Sequence, residues 1–210
     1  MASTPRASGK SGAPARRRPG GRSARVQAQV VAAVTAELVE HGFDALSVDT
    51  VAARAGVHRA TVYRRWRDVG GLLAAALDAG TDDDWRPPDT GSLTGDLRAL
   101  NEEVYAALTE GPPVTMALIA AAFRSGEAAR ALRRFWADRY ARCGVVVERA
   151  AGRGETAPDT DPYALLVAAT APLYHHFVLL RTPPDPGLPA HAAGYAALAA
   201  RAGAFRRADP

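Results

Sequence analysis

Residues 47–66 read SVDTVAARAGVHRATVYRRW. Ser47 is a good N-cap, because its hydroxyl can accept from a free backbone N–H at the start of a helix. The helix it opens, 48–55, puts Val48, Val51 and Ala52 on one face. Gly56 stops that helix, since glycine adopts the left-handed backbone that a side chain resists, and Val57 plugs the angle after it. A second short helix starts at once, running from 58 to 65 or 66 with Val62 turned inward. Two helices of about eight residues on either side of a glycine turn have the anatomy of a helix-turn-helix. His58, Arg59, Thr61, Tyr63, Arg64 and Arg65 are left outside. Their guanidinium, hydroxyl, imidazole and phenol groups are those that contact phosphate oxygens and base edges when such a helix lies in a DNA major groove. A solvated hairpin inside a helical bundle has the same outline, so the surroundings have to decide.

Upstream, Val26, Val30, Val34 and Leu38 recur every four residues as far as Gly42, which predicts a first helix over 24–41. Phe43 and Leu46 bring the chain back to the core. Downstream, Asp68 caps a fourth helix that runs through Leu72, Leu73, Ala76 and Leu77 to residue 79. Gly70 and Gly71 weaken its start by roughly 2 kcal/mol relative to alanine. Residues 81–91, with Asp82, Asp83, Asp84, Pro87 and Pro88, read as a loop. Further helices are expected over 93–109, 114–124, 127–151, 162–180 and 190–205, and Pro172 is expected to kink the eighth. No segment alternates with period two and no repeat is evident. The expectation is an all-α chain of about nine helices: a tail over 1–22, a three-helix helix-turn-helix domain over 23–67 and a helical body over 68–210. The tail is rich in Ser, Gly, Pro and Arg without apolar period, and is expected to be disordered.

The 210 residues, 48% hydrophobic, suffice for a sizeable core. The formal charge of +4 is unevenly placed. Residues 1–67 hold 12 Lys+Arg against 4 Asp+Glu, a balance of +8, and residues 68–210 hold 14 against 18, a balance of −4. Such a split suits a polyanion at one end and favours a nucleic-acid reader on a neutral-to-acidic body. Lys10 is the only lysine, so the abundance of arginine reflects coding bias and is not itself a sign of phosphate binding. A lone Cys143 excludes an intrachain disulfide framework and fits a reducing compartment. No apolar run is expected to reach the roughly 18 to 20 residues of a membrane span.

The wording of residues 24–78 resembles the DNA-binding domain of the TetR family of transcriptional regulators. The match lies in Phe43, Leu46, Ser47, Val48, Val51, Ala52, Ala55, Gly56, Val57, Thr61, Val62, Tyr63, Trp66, Leu72 and Leu73. Residues 161–190, DPYALLVAATAPLYHHFVLLRTPPDPGLPA, resemble one group of TetR C-terminal domains. The resemblance implies a C-terminal ligand-binding and dimerisation domain, and a ligand-responsive repressor that binds a palindromic operator in double-stranded DNA as a homodimer. It implies that Thr61 and Tyr63 contact phosphate and that Arg64 contacts phosphate or base. Arg59 towards guanine and Ala60 towards a thymine methyl are the candidates for base readout, and Ser47 sets the positive end of its helix near a phosphate. Trp66 is expected in the core. His58 stands where the family has Ser or Thr, as a weaker cap that can itself contact phosphate. Val69 stands where a basic residue usually grips the backbone. Arg67, or the tail residues Arg16, Arg17, Arg18, Arg22 and Arg25, is expected to supply that charge.

One recognition helix reads too few base pairs to find a genomic site, so two copies are expected to read two half-sites. The expected dimer surface is the last helix pair, through Leu165, Ala169, Leu173, Phe177, Leu180, Ala193 and Ala197, with plain monomer core as the alternative. In the resembled family the middle helices enclose an effector pocket, for which Trp85, Tyr105, Met116, Phe123, Phe135, Trp136, Tyr140 and Tyr174 are candidate liners. His175 is a candidate polar group there. His175 and His176 diverge by about 100° on a helix and do not form a metal pair; no metal and no cofactor are expected. There is no Gly-x-Ser-x-Gly elbow, phosphate-binding Gly-x-x-x-x-Gly-Lys or His-Glu-x-x-His, so no enzyme is expected. Partners expected are double-stranded DNA, a second copy and an unidentified small-molecule effector, with no membrane, in the cytoplasm at the nucleoid. The rival is a helical protein-interaction module that does not bind specific DNA.

Overall fold

The structure, a computed structural model, describes residues 21–80, 84–110 and 112–207. Its regular elements are α1 Gly21–His41, α2 Val48–Ala55, α3 Arg59–Trp66, α4 Val69–Ala79, α5 Leu93–Thr109, α6 Val114–Ala122, α7 Gly126–Gly152, α8 Pro162–Tyr174 and α9 Leu188–Arg201. Among the described residues the only extended pairing is an isolated antiparallel bridge between Thr160 and Arg206. Helix starts follow cap chemistry. Asp68, Ser92 and Ser125 each accept from the backbone N–H three residues on, at 3.0, 3.1 and 3.2 Å, and Asp161 accepts from Tyr163 and Ala164.

Several boundaries shift for identifiable reasons. α1 begins at Gly21, so residues 21 and 22 of the expected tail are helical; the remainder of that tail lies outside the described residues. Residues 81–83 of the expected loop also lie outside them, and 84–90 carry no helix. The irregularity expected at Pro172 takes the form of a π-helical segment, His175–Leu180, that continues α8. Proline removes a ladder N–H, and widened turns are one way a helix absorbs such a break. α9 ends at Arg201, and Gly203 at φ 80° turns the chain. Phe205 O thereby accepts from Asp161 N at 2.7 Å, tying the C-terminal end to the start of α8.

The N-terminal core gathers Val30, Val34 and Leu38 of α1, Val51 of α2, Val62 and Trp66 of α3, and Leu72 and Leu73 of α4. Ala121 and Ala128, from α6 and α7, close its floor. α4 therefore belongs to the helix-turn-helix core while its far side runs along α7, where Arg134 pairs with Asp78 at 2.9 Å. Arg54 fastens α2 to α1 by pairing with the buried Glu37 at 2.6 Å and with Glu40. The hydrogen bond from Arg54 holds the Glu40 carboxyl below its ordinary range.

The second core packs Leu93 and Leu97 of α5, Val146 of α7, Leu165 and Leu166 of α8, and Ala193 and Ala197 of α9. Buried Asn101 pins three helices, donating to Ala169 O at 3.0 Å and Pro189 O at 3.1 Å. This packing corrects the expected dimer surface. Leu165, Ala169, Leu173, Phe177, Ala193 and Ala197 are buried within the subunit, and only Leu180 of that set is exposed. Alanine on α9 lets α5 and α8 approach closely, so the small residues serve the monomer. A second correction concerns apolar length. Residues 162–180 form a 19-residue helical run long and apolar enough by composition to cross a membrane; here its Leu165, Leu166, Leu173 and Phe177 face is inside the protein.

Candidate functional site

The two short helices are built as their residue types require. Ser47 Oγ accepts from Thr50 N at 3.1 Å and Thr50 Oγ1 accepts from Ser47 N at 3.1 Å, a reciprocal cap. Gly56 sits at φ 63°, ψ 30°, and Val57 N donates to Ala52 O at 3.1 Å, closing the end of α2. His58 does cap α3, its Nδ1 accepting from Ala60 N at 3.2 Å. Val62 and Trp66 are buried on the inner side.

The outer side of α3 is what remains. Arg59, Ala60, Tyr63 and Arg64 are exposed, and Thr61 is half-buried. Tyr63 is 52% exposed, although a tyrosine with no polar task would be driven inward. Residues 50–67 contain no acidic residue. Thr61 and His58 border a surface hollow shared with Arg25 of α1, and Thr61 and Arg64 border another beside Ser23. Arg67 stands at φ 64°, ψ −57° just past α3, its N–H donating to Tyr63 O at 2.9 Å. A non-glycine residue in that region is strained, a cost that persists only where the surroundings fix it. Arg16, Arg17, Arg18 and the side chain of Arg22 lie outside the described residues.

Three residues of this surface take roles that the sequence reading does not assign to them. Asp49 reaches from α2 to Arg59, with Oδ1 2.6 Å from Nε. Thr50, the reciprocal cap, could have been found from its three-residue spacing to Ser47. Arg65, grouped with the outward donors, instead braces α3 to α1: it donates to Ser23 O at 3.2 Å, Ser23 Oγ at 3.0 Å and Gln27 Oε1 at 2.7 Å, and lies 5.0 Å from the Trp66 ring centroid. Arg65→Ala is expected to destabilise the protein by about 1 kcal/mol, the net worth of such exposed contacts, read as a lower thermal midpoint at fixed protein concentration.

A second feature lies in the body. A cavity of about 250 Å³ is lined by Trp85, Glu103, Phe135, Trp136, Arg139, Tyr140, Cys143, Thr170 and Tyr174 with the aliphatic Leu100, Val104 and Leu166. Of the expected liners, Trp85, Phe135, Trp136, Tyr140 and Tyr174 are there. The others are not, for reasons of helix phase. Tyr105 packs edge-on against Phe177 at 5.6 Å in a separate cluster, Met116 is half-buried elsewhere on α6, Phe123 is 79% exposed, and His175 is exposed. Cys143 lines the cavity as a small apolar group; burial pushes its thiol up to about 11, which keeps it protonated. Among the described residues no three His, Cys, Asp or Glu converge as a metal site.

A three-helix unit with a capped, outward, arginine-bearing helix on a helical body that encloses a cavity defines a helix-turn-helix DNA-binding regulator. Comparison with known proteins makes this particular. Residues 30–76 match the family of bacterial regulatory proteins of the tetR type, and residues 87–196 match the tetracyclin repressor-like C-terminal domain. The chain belongs to the TetR family and is a helix-turn-helix transcriptional regulator. It is 33% identical over 159 residues to the HTH-type transcriptional regulator AqdR of Rhodococcus erythropolis, covering 75% of this chain and 76% of that one. It is 33% identical over 156 residues to the DNA-binding transcriptional repressor TetR of Mycobacteroides abscessus, covering 72% and 82%. A solved TetR transcriptional regulator from Agrobacterium tumefaciens has the same fold, with a TM-score of 0.65 at 22% identity over 88% of this chain and 95% of that one.

Proposed function

We propose that the protein is a ligand-responsive repressor that binds a palindromic operator as a homodimer in the cytoplasm, at the nucleoid. The observation that carries this reading is the outer side of α3, where Arg59, Ala60, Tyr63 and Arg64 are exposed while Val62 and Trp66 do the packing. Residues 23–67 read DNA, and the basic tail raises affinity for any sequence. The body, residues 68–210, dimerises and holds the effector, with α4 at its start shared with the core of the reader. The cavity communicates with the reader through α4: a neighbouring hollow touches Thr35 of α1, Ala76 and Leu77 of α4, and Phe135 and Trp136 of the cavity wall. A gel shift with the DNA flanking the protein's own gene tests the reading. Retardation that survives competitor DNA and falls steeply with salt supports it; failure to discriminate any sequence from bulk DNA favours the protein-interaction module.

The dimer surface consistent with the packing is the outer stripe of α9 with the end of α8. Tyr195 is 71% exposed and Leu198 65%, one helical turn apart, and Leu179 and Leu180, at the end of the α8 run, are exposed as well. Tyr195→Glu with Leu198→Glu is expected to give a folded monomer by sedimentation velocity, with operator affinity lost. A persistently dimeric double variant would place the interface elsewhere.

A further inference from the structure

The cavity wall is chemically selective, and the ligand class it points to rests on the reading that this cavity takes the effector. Its lining is mainly aromatic. Trp136 stands edge-on to Phe135 at 5.1 Å and to Tyr174 at 5.3 Å, and lies at 30° to Tyr140 at 5.8 Å. The hollow beside Trp85 measures about 250 Å³, below the roughly 300–1,000 Å³ that house drug-sized molecules, and Trp136, Tyr140 and Tyr174 also border a second hollow of about 610 Å³. The two charges of the first hollow are engaged with the wall itself. Glu103 Oε2 accepts from Trp85 Nε1 at 2.7 Å, and the Arg139 guanidinium lies 4.1 Å from the centre of the same indole and 5.4 Å from that of Phe135. The two charges are opposite in sign, so the wall carries no net charge to favour an anionic or a cationic ligand, and each is held against the Trp85 indole.

The hydroxyls are directional. Thr170 Oγ1 donates to Leu166 O at 3.0 Å. Its one hydrogen is thereby committed, so in the 3.1 Å contact between Tyr140 Oη and Thr170 Oγ1 the tyrosine is the donor. Tyr140 Oη then has only lone pairs to offer a ligand. Tyr174 Oη has no hydrogen-bond partner among the described residues, and burial pushes its pKa far above that of an ordinary phenol, so it remains a neutral donor.

We propose that the cavity binds uncharged, planar aromatic compounds of about two fused rings bearing one hydroxyl or carbonyl oxygen, with that oxygen accepting from Tyr174 Oη. A ligand hydroxyl also donates to Tyr140 Oη, completing a pair that naphthalene lacks.

The test is isothermal titration calorimetry of the full-length protein with 2-naphthol, naphthalene, 2-naphthoate and decanoate, for the native chain and for Tyr174→Phe, with operator release by 2-naphthol measured in parallel. 2-Naphthol is expected to bind at least tenfold tighter than 2-naphthoate and decanoate. Tyr174→Phe is expected to weaken 2-naphthol by roughly three- to tenfold and leave naphthalene unchanged, since one net hydrogen bond is lost. Equal weakening of both would show a packing role and overturn the assignment of the hydroxyl. Tightest binding by naphthoate or decanoate would overturn the ligand class while leaving a ligand-responsive regulator intact. Binding by none of the four overturns the proposal as well. 2-Naphthol binding with the expected variant effect but no operator release would uphold the class and refute the ligand-responsive reading.

Discussion

Gly71→Ala is expected to destabilise the protein by about 3 kcal/mol and, with it, to remove the proposed operator binding. By helix propensity the change should do the reverse, since alanine is favoured over glycine inside a helix by about 1 kcal/mol. The decisive quantity is a distance. A Cβ on Gly71 would lie 2.0 Å from Trp66 O and 3.1 Å from Trp66 C. Both atoms are backbone at the last turn of α3, so no side chain can swing away, and overpacking of this kind typically costs about 1–3 kcal/mol before the lost packing of neighbours is added. The Trp66 carbonyl also accepts from Asp68 N at 2.8 Å, fixing the turn that joins α3 to α4. Moving it shifts α3 against α4, and thus the reader against the body. Gly70→Ala is the control. There a Cβ would meet Glu127 Oε2 at 2.9 Å, and Glu127 Cβ and the α7 cap Ser125 Oγ at 3.1 Å, side-chain atoms at longer range and no backbone, so the loss is expected to be smaller, about 1 kcal/mol. Urea denaturation monitored by circular dichroism, at one protein concentration because the proposed dimerisation would be linked to folding, decides the matter. A Gly71→Ala midpoint at or above the native one would refute the argument.

The same pair of glycines shows how far the sequence could be read. Propensity correctly marked them as a cost to α4, but the close approach that makes one of them necessary depends on the angle between two helices. Local signals did better. Ser47, Gly56 and Asp68 mark real helix ends, because a cap is a contact between residues two to four apart. The outward donors of α3 were legible for a related reason: one apolar face, Val62 and Trp66, fixes the phase of an eight-residue helix. The body resisted this logic. α8 and α9 are apolar on several sides, so periodicity could not tell the face that packs on α5 from the face turned outward, and Leu173 and Phe177 were placed at the dimer surface although both are buried. Tyr105, Phe123 and Trp136 are likewise indistinguishable by composition; only the crossing of α5, α6 and α7 puts one of them on the cavity.

Arg59→Ala is expected to cost roughly thirty-fold to twenty-thousand-fold in specific affinity and much less in non-specific affinity. The side chain is 65% exposed at the start of α3 and has no packing duty, so its removal leaves the fold intact. An arginine that contacts guanine bidentately contributes about 1–3 kcal/mol of discrimination. In a symmetric dimer the contact occurs once per half-site, which doubles the loss to about 2–6 kcal/mol. Against this stands the pairing of Nε with Asp49 at 2.6 Å. An exposed pair of this kind is worth at most about 1 kcal/mol, so it does not prevent the base contact, and it can persist during that contact because the terminal nitrogens are the edge offered to guanine. Tyr63→Phe separates the two kinds of contact. It removes the phenolic hydroxyl that the proposed reading sets against phosphate and should weaken operator and scrambled DNA by similar factors. Fluorescence anisotropy with both duplexes at two salt concentrations measures the difference. If Arg59→Ala weakened both duplexes equally, Arg59 would be a phosphate contact, and sequence reading would have to rest on Ala60 and Arg64.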